Sequence, residues 1–89
     1  MKSTLASLLA LASATNAFLI TDCNTGKITN YGDNKCQIWT AADFSFQSNA
    51  GCTLYAYSEG NCQGSIFETA TQNQCQTAPN GVVSVNCRT

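Results

Sequence analysis

Six cysteines in a chain of 89 residues constrain what this sequence can fold into more than any other feature. They all follow an apolar N-terminal segment and are Cys23, Cys36, Cys52, Cys62, Cys75 and Cys87. Paired cysteines at this density stiffen domains that are too small to be stabilised by burial alone, and they persist only in oxidising compartments. The sequence therefore predicts a disulfide-stapled, secreted, extracellular protein. The spacing of the cysteines does not choose among the possible pairings.

The N-terminal segment has the three parts of a secretory signal peptide, which we assign to residues 1–17. Lys2 supplies a positive start, residues 5–12 are rich in leucine and alanine, and small residues follow. We expect cleavage after Ala17, with cleavage after Ala14 as the alternative. The apolar run is too short to cross a bilayer.

The remaining residues, 18–89, have the length of a single cysteine-rich β domain. A domain of this size buries only about 60% of its unfolded surface, so cross-links are needed to stabilise it. Three basic and five acidic side chains give this part a net charge of −2. Nucleic acids and anionic membranes attract clustered lysine and arginine, so neither is expected as a partner. We expect a monomer without a membrane span.

Short runs of β-branched and aromatic residues, separated by Gly, Asn, Asp and Ser, predict strands, with one helical turn at residues 41–44 as the sole helical candidate. The candidate strands are residues 27–31, 37–40, 44–47, 52–57, 65–68 and 82–87. Alternation puts Cys52, Leu54 and Ala56 on one face of their strand. The same period puts Val83 with Val85 and Cys87. The predicted fold class is all-β, a small antiparallel sandwich or barrel.

The chain shows self-similarity at an offset of 26 residues, where residues 28–37 align with residues 54–63. A tyrosine, a cysteine and a glutamine are identical in the two copies, and an acidic residue falls at the same place. Two related hairpins would explain the match. Chance is the alternative, because turns draw on the same few residue types.

The second copy, extended to residues 54–68, resembles the hairpin signature of β/γ-crystallin Greek-key motifs. Tyr57 and Gly64 match the aromatic and glycine positions of that signature, while Cys62 replaces its second aromatic. Residues 84–87 resemble the later strand, and the resemblance implies that Ser84 ties back to the hairpin turn. Some microbial relatives bind calcium, but residues 80–84 lack the paired acidic or amide ligands and one hydroxyl. No calcium site is predicted.

Catalytic chemistry has little support in this sequence. The absence of histidine excludes Ser–His and Cys–His nucleophilic pairs and removes the commonest zinc ligand. We expect disulfides rather than a metal site, and no cofactor. Asp33 and Glu59 occupy equivalent places in the repeat, but a glycosidase needs a cleft that a domain this small can hardly form. We therefore expect no enzyme, with both carboxylates as solvated turn residues.

The aromatic side chains are numerous for a core that also holds three disulfides, and most are expected to pack inside. Trp39, Tyr55 and Tyr57 are the candidates for an exposed binding surface, because amphipathic rings provide large contact area at low entropic cost. Such a surface would suit an extracellular protein or a glycan.

The leader, size, cysteine count and richness in Asn, Gln, Ser and Thr resemble those of the small secreted cysteine-rich proteins of filamentous fungi. That resemblance implies a non-enzymatic interaction protein of the effector or virulence type, acting on a host or competitor surface. A killer-type antimicrobial or antifungal toxin is the first alternative. A structural or sugar-binding protein of the cell wall is the second.

Overall fold

The computed structural model describes residues 16–89, and these form eight β-strands without a helix. The all-β prediction is confirmed. The signal peptide predicted for residues 1–17 lies outside the described residues apart from Asn16 and Ala17. The strands are β1 (Ala17–Asp22), β2 (Ile28–Gly32), β3 (Gln37–Ile38), β4 (Asp43–Ser48), β5 (Thr53–Glu59), β6 (Gln63–Thr69), β7 (Gln76–Thr77) and β8 (Ser84–Arg88).

The strands form two four-stranded antiparallel sheets. Sheet A has the order β2-β1-β4-β7, and sheet B has the order β3-β8-β5-β6. The chain divides into two halves, β1–β4 and β5–β8. In each half the first strand lies between the second and the fourth, while the third strand lies in the other sheet. The two halves therefore have the same connectivity and exchange their third strands, β3 and β7.

The core lies between the inner faces of the two sheets. Period-two alternation on β1, β4, β5 and β8 supplies it, with Phe18, Ile20, Phe44, Phe46, Leu54, Ala56, Val85 and Cys87 all buried. The inner face predicted for residues 52–57 is confirmed. Val83 is 41% exposed, so its assignment to the same face as Val85 is wrong. Val83 lies in the connection that precedes β8, and its carbonyl accepts the Trp39 N–H at 3.2 Å.

Six of the eight strands overlap segments expected from the sequence, while β1 and β7 were not anticipated. β1 begins at Ala17, where the predicted leader ends, and it occupies a central position in sheet A. β7 has only two residues, too few to show alternation.

The predicted repeat at an offset of 26 residues is wrong as a structural repeat. It aligns β2, the second strand of its half, with β5, the first strand of the other half. It also aligns Cys36 with Cys62, which are bonded to each other. Shared turn chemistry accounts for the match, as the alternative reading held.

Three disulfides use all six cysteines: Cys23–Cys75, Cys36–Cys62 and Cys52–Cys87. The first two have equivalent positions. Each joins the loop between the first two strands of one half to the residue directly before the third strand of the other half. The exchanged strands are therefore held covalently in their host sheets, while the third bridge is buried within sheet B.

Ser84 ties β8 to the β5–β6 hairpin, as the sequence resemblance implied. Its hydroxyl accepts a hydrogen bond from the Cys62 N–H at 2.9 Å and donates one to the Glu59 carbonyl at 2.6 Å. The side chain is 1% exposed, so water does not replace these partners easily. The hairpin is thereby folded back onto sheet B.

Ser84→Ala is expected to lower the free energy of unfolding by about 1–3 kcal/mol, because a partly buried donor and acceptor lose their partner. Urea unfolding of the oxidised protein measures the loss. Ser45→Ala is the matched control, since Ser45 precedes buried Phe46 in β4 as Ser84 precedes buried Val85 in β8. An equal loss in the two variants would contradict the role of the two hydrogen bonds.

Candidate binding cleft between β2 and β3

A cleft of about 300 Å³ opens where edge strand β2 of sheet A approaches edge strand β3 of sheet B. Its lining is mixed in chemistry, with two aromatic rings, three hydroxyls, one acid and one base. The lining residues are Asp22, Lys27, Thr29, Tyr31, Ile38, Trp39, Thr40 and Ala41. A volume of this order matches the lower end of small-ligand sites.

The two aromatic rings of the cleft are fixed by hydrogen bonds and packing. The Tyr31 hydroxyl donates a hydrogen bond to the Ile38 carbonyl, which links the two edge strands. The Trp39 Nε1–H donates to the Ala41 carbonyl at 2.9 Å. Tyr31 also packs on Phe18, with 5.8 Å between ring centroids. Rings held in this way lose little freedom when a ligand binds.

The charged side chains of the cleft come from the turn between β1 and β2. The Asp22 N–H donates to the Lys27 carbonyl at 2.9 Å, and the Asp22 carboxylate accepts the Asn24 N–H at 2.9 Å. These bonds close the turn and place an acid and a base at one end of the cleft. A ligand with both a polar and an apolar part suits this lining.

The structure separates the three aromatic residues predicted to form a binding surface. Trp39 and Tyr57 are each 7% exposed, so neither presents an open ring face, which corrects that part of the prediction. Trp39 packs in the core and contributes to the cleft wall. Tyr57 lies beside Ser84 in sheet B. Tyr55 is partly exposed, with the Arg88 guanidinium 5.3 Å from its ring centroid.

Of the eight residues that line the cleft, only Trp39 was selected from the sequence, and Tyr31 is the aromatic residue that was missed. A signal for it exists, because Tyr31 and Trp39 flank a short polar connection between two predicted strands. Two aromatic residues so placed can meet if their strands lie at facing edges. The period of either strand alone does not show that they do.

Asp33 and Glu59, considered as a carboxylate pair, are in different environments. Asp33 follows β2 and is buried, which raises the pKa of its carboxyl. The expectation that both carboxylates are solvated is therefore wrong for Asp33, whereas Glu59 is exposed at the end of β5. Backbone hydrogen bonding places Asn34 beside Cys87, whereas Glu59 lies beside Ser84. The two acids thus lie near opposite ends of β8.

One cluster of potential metal ligands occurs among residues 16–89. A carboxylate oxygen of Asp33 and the sulfurs of Cys52 and Cys87 lie within 4.8 Å of one another. The two sulfurs are bonded to each other, so neither carries the thiolate charge that binds a metal ion. In its disulfide form the cluster is a carboxylate beside an uncharged bridge.

No protein-family model matches the chain, and no curated protein or solved structure was found to be similar to it. Among the described residues there is no helix of the length and apolar character needed to cross a membrane.

Proposed function

We propose that this protein is exported, loses residues 1–17, and acts as a non-enzymatic binding protein of the effector type. The observation that carries the proposal is the preformed cleft between β2 and β3. Its walls combine the side chains of Tyr31 and Trp39 with hydroxyl groups and one charge of each sign. Three disulfides in so small a domain suit a protein that works outside the cell.

A protein surface is the target class that the cleft favours. Stacking on a sugar needs an accessible ring face, and Trp39 is only 7% exposed. A cleft of about 300 Å³ can accept one or two side chains of a partner. The exposed hydrophobic residue Ile38, in β3 at the rim, adds apolar contact area. We therefore propose that a protein partner inserts a side chain between β2 and β3.

A killer-type antimicrobial toxin is the second candidate. Its support is the likeness to β/γ-crystallin Greek keys, a family that includes secreted microbial toxins. The hydrogen bonds of Ser84 to the hairpin support that likeness. A net charge of −2 in residues 18–89 does not favour direct membrane lysis, so such a toxin would need a receptor.

The cleft is tested with fluorescently labelled, oxidised residues 18–89 on yeast cells, bacterial cells, plant plasma-membrane vesicles and chitin. Lys27→Ala combined with Thr40→Ala is expected to weaken binding about tenfold, because both side chains line the cleft. Lys35→Ala combined with Thr71→Ala is the matched control, since both residues are exposed outside it. Equal binding by the two double variants would contradict the cleft proposal.

Other arms of the same experiment separate the alternatives. Growth inhibition of yeast or bacteria that is lost on reduction would favour the toxin. Retention in the chitin or wall fraction would favour a wall protein. Hydrolysis of a glycan or peptide library, abolished by substitution of Asp33 or Glu59, would overturn the non-enzymatic proposal.

A further inference from the structure

Asp33 is a buried carboxylate without a partner. The residue is 8% exposed, and neither carboxylate oxygen has a hydrogen-bond partner within residues 16–89. Burying a charged group in this way is costly unless the charge is paired. A cation close to the carboxylate would offset this cost.

The described part of the chain supplies no cation to Asp33. Lys35, two residues away, is exposed. The Arg88 guanidinium lies over the Tyr55 ring instead, at 5.3 Å. The other neighbour, the Cys52–Cys87 bridge, is uncharged.

The start of β1 lies directly against Asp33. The Asp33 N–H donates to the Asn16 carbonyl at 3.1 Å, and Ala17 lies opposite Gly32 in the register of β1 with β2. Phe18 lies opposite Tyr31, and their rings pack together on the core side. Because side chains two residues apart share a face, Asp33 points to the same side as Tyr31.

We propose that the partner of Asp33 is the α-ammonium group of Phe18, released when the leader is cut after Ala17. Hydrolysis of the Ala17–Phe18 peptide bond adds one water, leaving a carboxylate on Ala17 and an ammonium group on Phe18. The new cation forms on Phe18, the residue diagonal to Asp33 in the β1–β2 pair. This inference rests on the export part of the proposed function and not on the binding cleft.

The two cleavage positions differ in where they place the new ammonium group relative to Asp33. A cut after Ala17 removes the Asn16 carbonyl and places the charge on Phe18, diagonally across from Asp33 in the β1–β2 pair. A cut after Ala14 leaves Asn16 and Ala17 attached and puts the ammonium group on Thr15. We assign the pairing with Asp33 to the cut after Ala17, which places the charge on a residue of β1.

Cleavage after Ala17 also removes contacts, so the ion pair has a structural cost to offset. The Ala17 N–H donates to the Asn49 Oδ1 at 3.0 Å, and the Asn49 N–H donates to the Ala17 carbonyl at 3.2 Å. Phe18 and Ile20 stay in the mature chain as buried residues. The remainder of β1 therefore keeps its place in sheet A and holds the new terminus beside Asp33.

The first test is N-terminal sequencing of protein secreted into culture medium, where the expected first residue is Phe18. The second compares oxidised chains 18–89 and 15–89, each with Asp33 and with Asp33→Asn. In chain 18–89 the substitution should lower the folded-to-unfolded ratio at least tenfold at neutral pH. In chain 15–89 it should leave that ratio unchanged or raise it, because there it removes an unpaired buried charge.

The third measurement is the pKa of the Phe18 amino group by NMR, which also decides the case if Asp33→Asn prevents folding of chain 18–89. Pairing should raise this pKa by at least one unit above its ordinary value of about 8, and Asp33→Asn should abolish the rise. Secretion with Thr15 first, equal effects of the substitution in both chains, or an ordinary amino pKa would each overturn the proposal. The cleft double variant of chain 18–89 should keep the raised pKa even if target binding fails.

Discussion

Replacing Cys52 and Cys87 together by alanine will leave the oxidised protein largely unfolded at room temperature. The bridge closes a loop with a sequence separation of 35 residues. The chain-entropy model gives such a loop about 4 kcal/mol. The core of a domain this small rarely supplies more than about 3–5 kcal/mol, and loss of one native disulfide from such a domain often abolishes folding. Both cysteines are also buried, so the double substitution leaves space in the core of sheet B.

Circular dichroism and urea unfolding measure the effect of removing this bridge. The control is Cys36→Ala with Cys62→Ala, which removes a bridge with a sequence separation of 26 residues outside the core. The control is expected to lose somewhat less stability, because the loop is shorter and no buried space is created. A Cys52/Cys87 double variant that melts within a few degrees of the unaltered protein would show that the apolar core is sufficient.

Gly64→Ala is expected to lower the free energy of unfolding by about 2–5 kcal/mol. Gly64 has a φ of 86°, which costs a residue with a side chain about 1–2 kcal/mol. An added Cβ would also lie 2.5 Å from the Ser58 Oγ and 2.9 Å from the Glu59 Cγ. Overpacking of this kind costs about 1–3 kcal/mol. Ser58 cannot turn away freely, because its Oγ accepts the Ser65 N–H at 2.8 Å.

Gly81→Ala is the matched control for the Gly64 substitution. Gly81 has a φ of 79°, but an added Cβ there meets no atom within 4 Å. Gly81→Ala should lose only the free energy that the positive φ costs a residue with a side chain. The difference in unfolding free energy between the two variants then measures the cost of the close contact in the β5–β6 hairpin. Urea unfolding of the oxidised variants gives both values. Equal losses would mean that Ser58 and Glu59 move aside without cost.

The exchange of third strands positions the candidate cleft. β3 belongs to the first half of the chain but lies in sheet B, where its edge approaches β2 of sheet A. This crossing brings Trp39 and Tyr31 to the same cleft. The Cys36–Cys62 bridge holds the residue before β3 to the β5–β6 hairpin. Stability of the fold and geometry of the cleft therefore depend on the same cross-link.

The cysteine spacing left the pairing open, and only the tertiary structure decided it. The two equivalent bridges join each hairpin loop to the exchanged strand of the other half. The residues around Cys23 and Cys62 do not indicate which strand will lie beside each cysteine. The burial of Trp39, Tyr57 and Asp33 likewise depends on which distant segments lie beside them.

The sequence by itself determined the strand-rich character of the chain, six of the eight strands, the inner face of β5 and the use of all six cysteines as disulfides. These properties follow from turn residues and from a side-chain period of two, which act over a few residues. The position of β1, the order of the sheets, the exchange of β3 and β7 and the cleft were decided by tertiary structure. Each depends on contacts between segments far apart in the chain, which a local period does not encode.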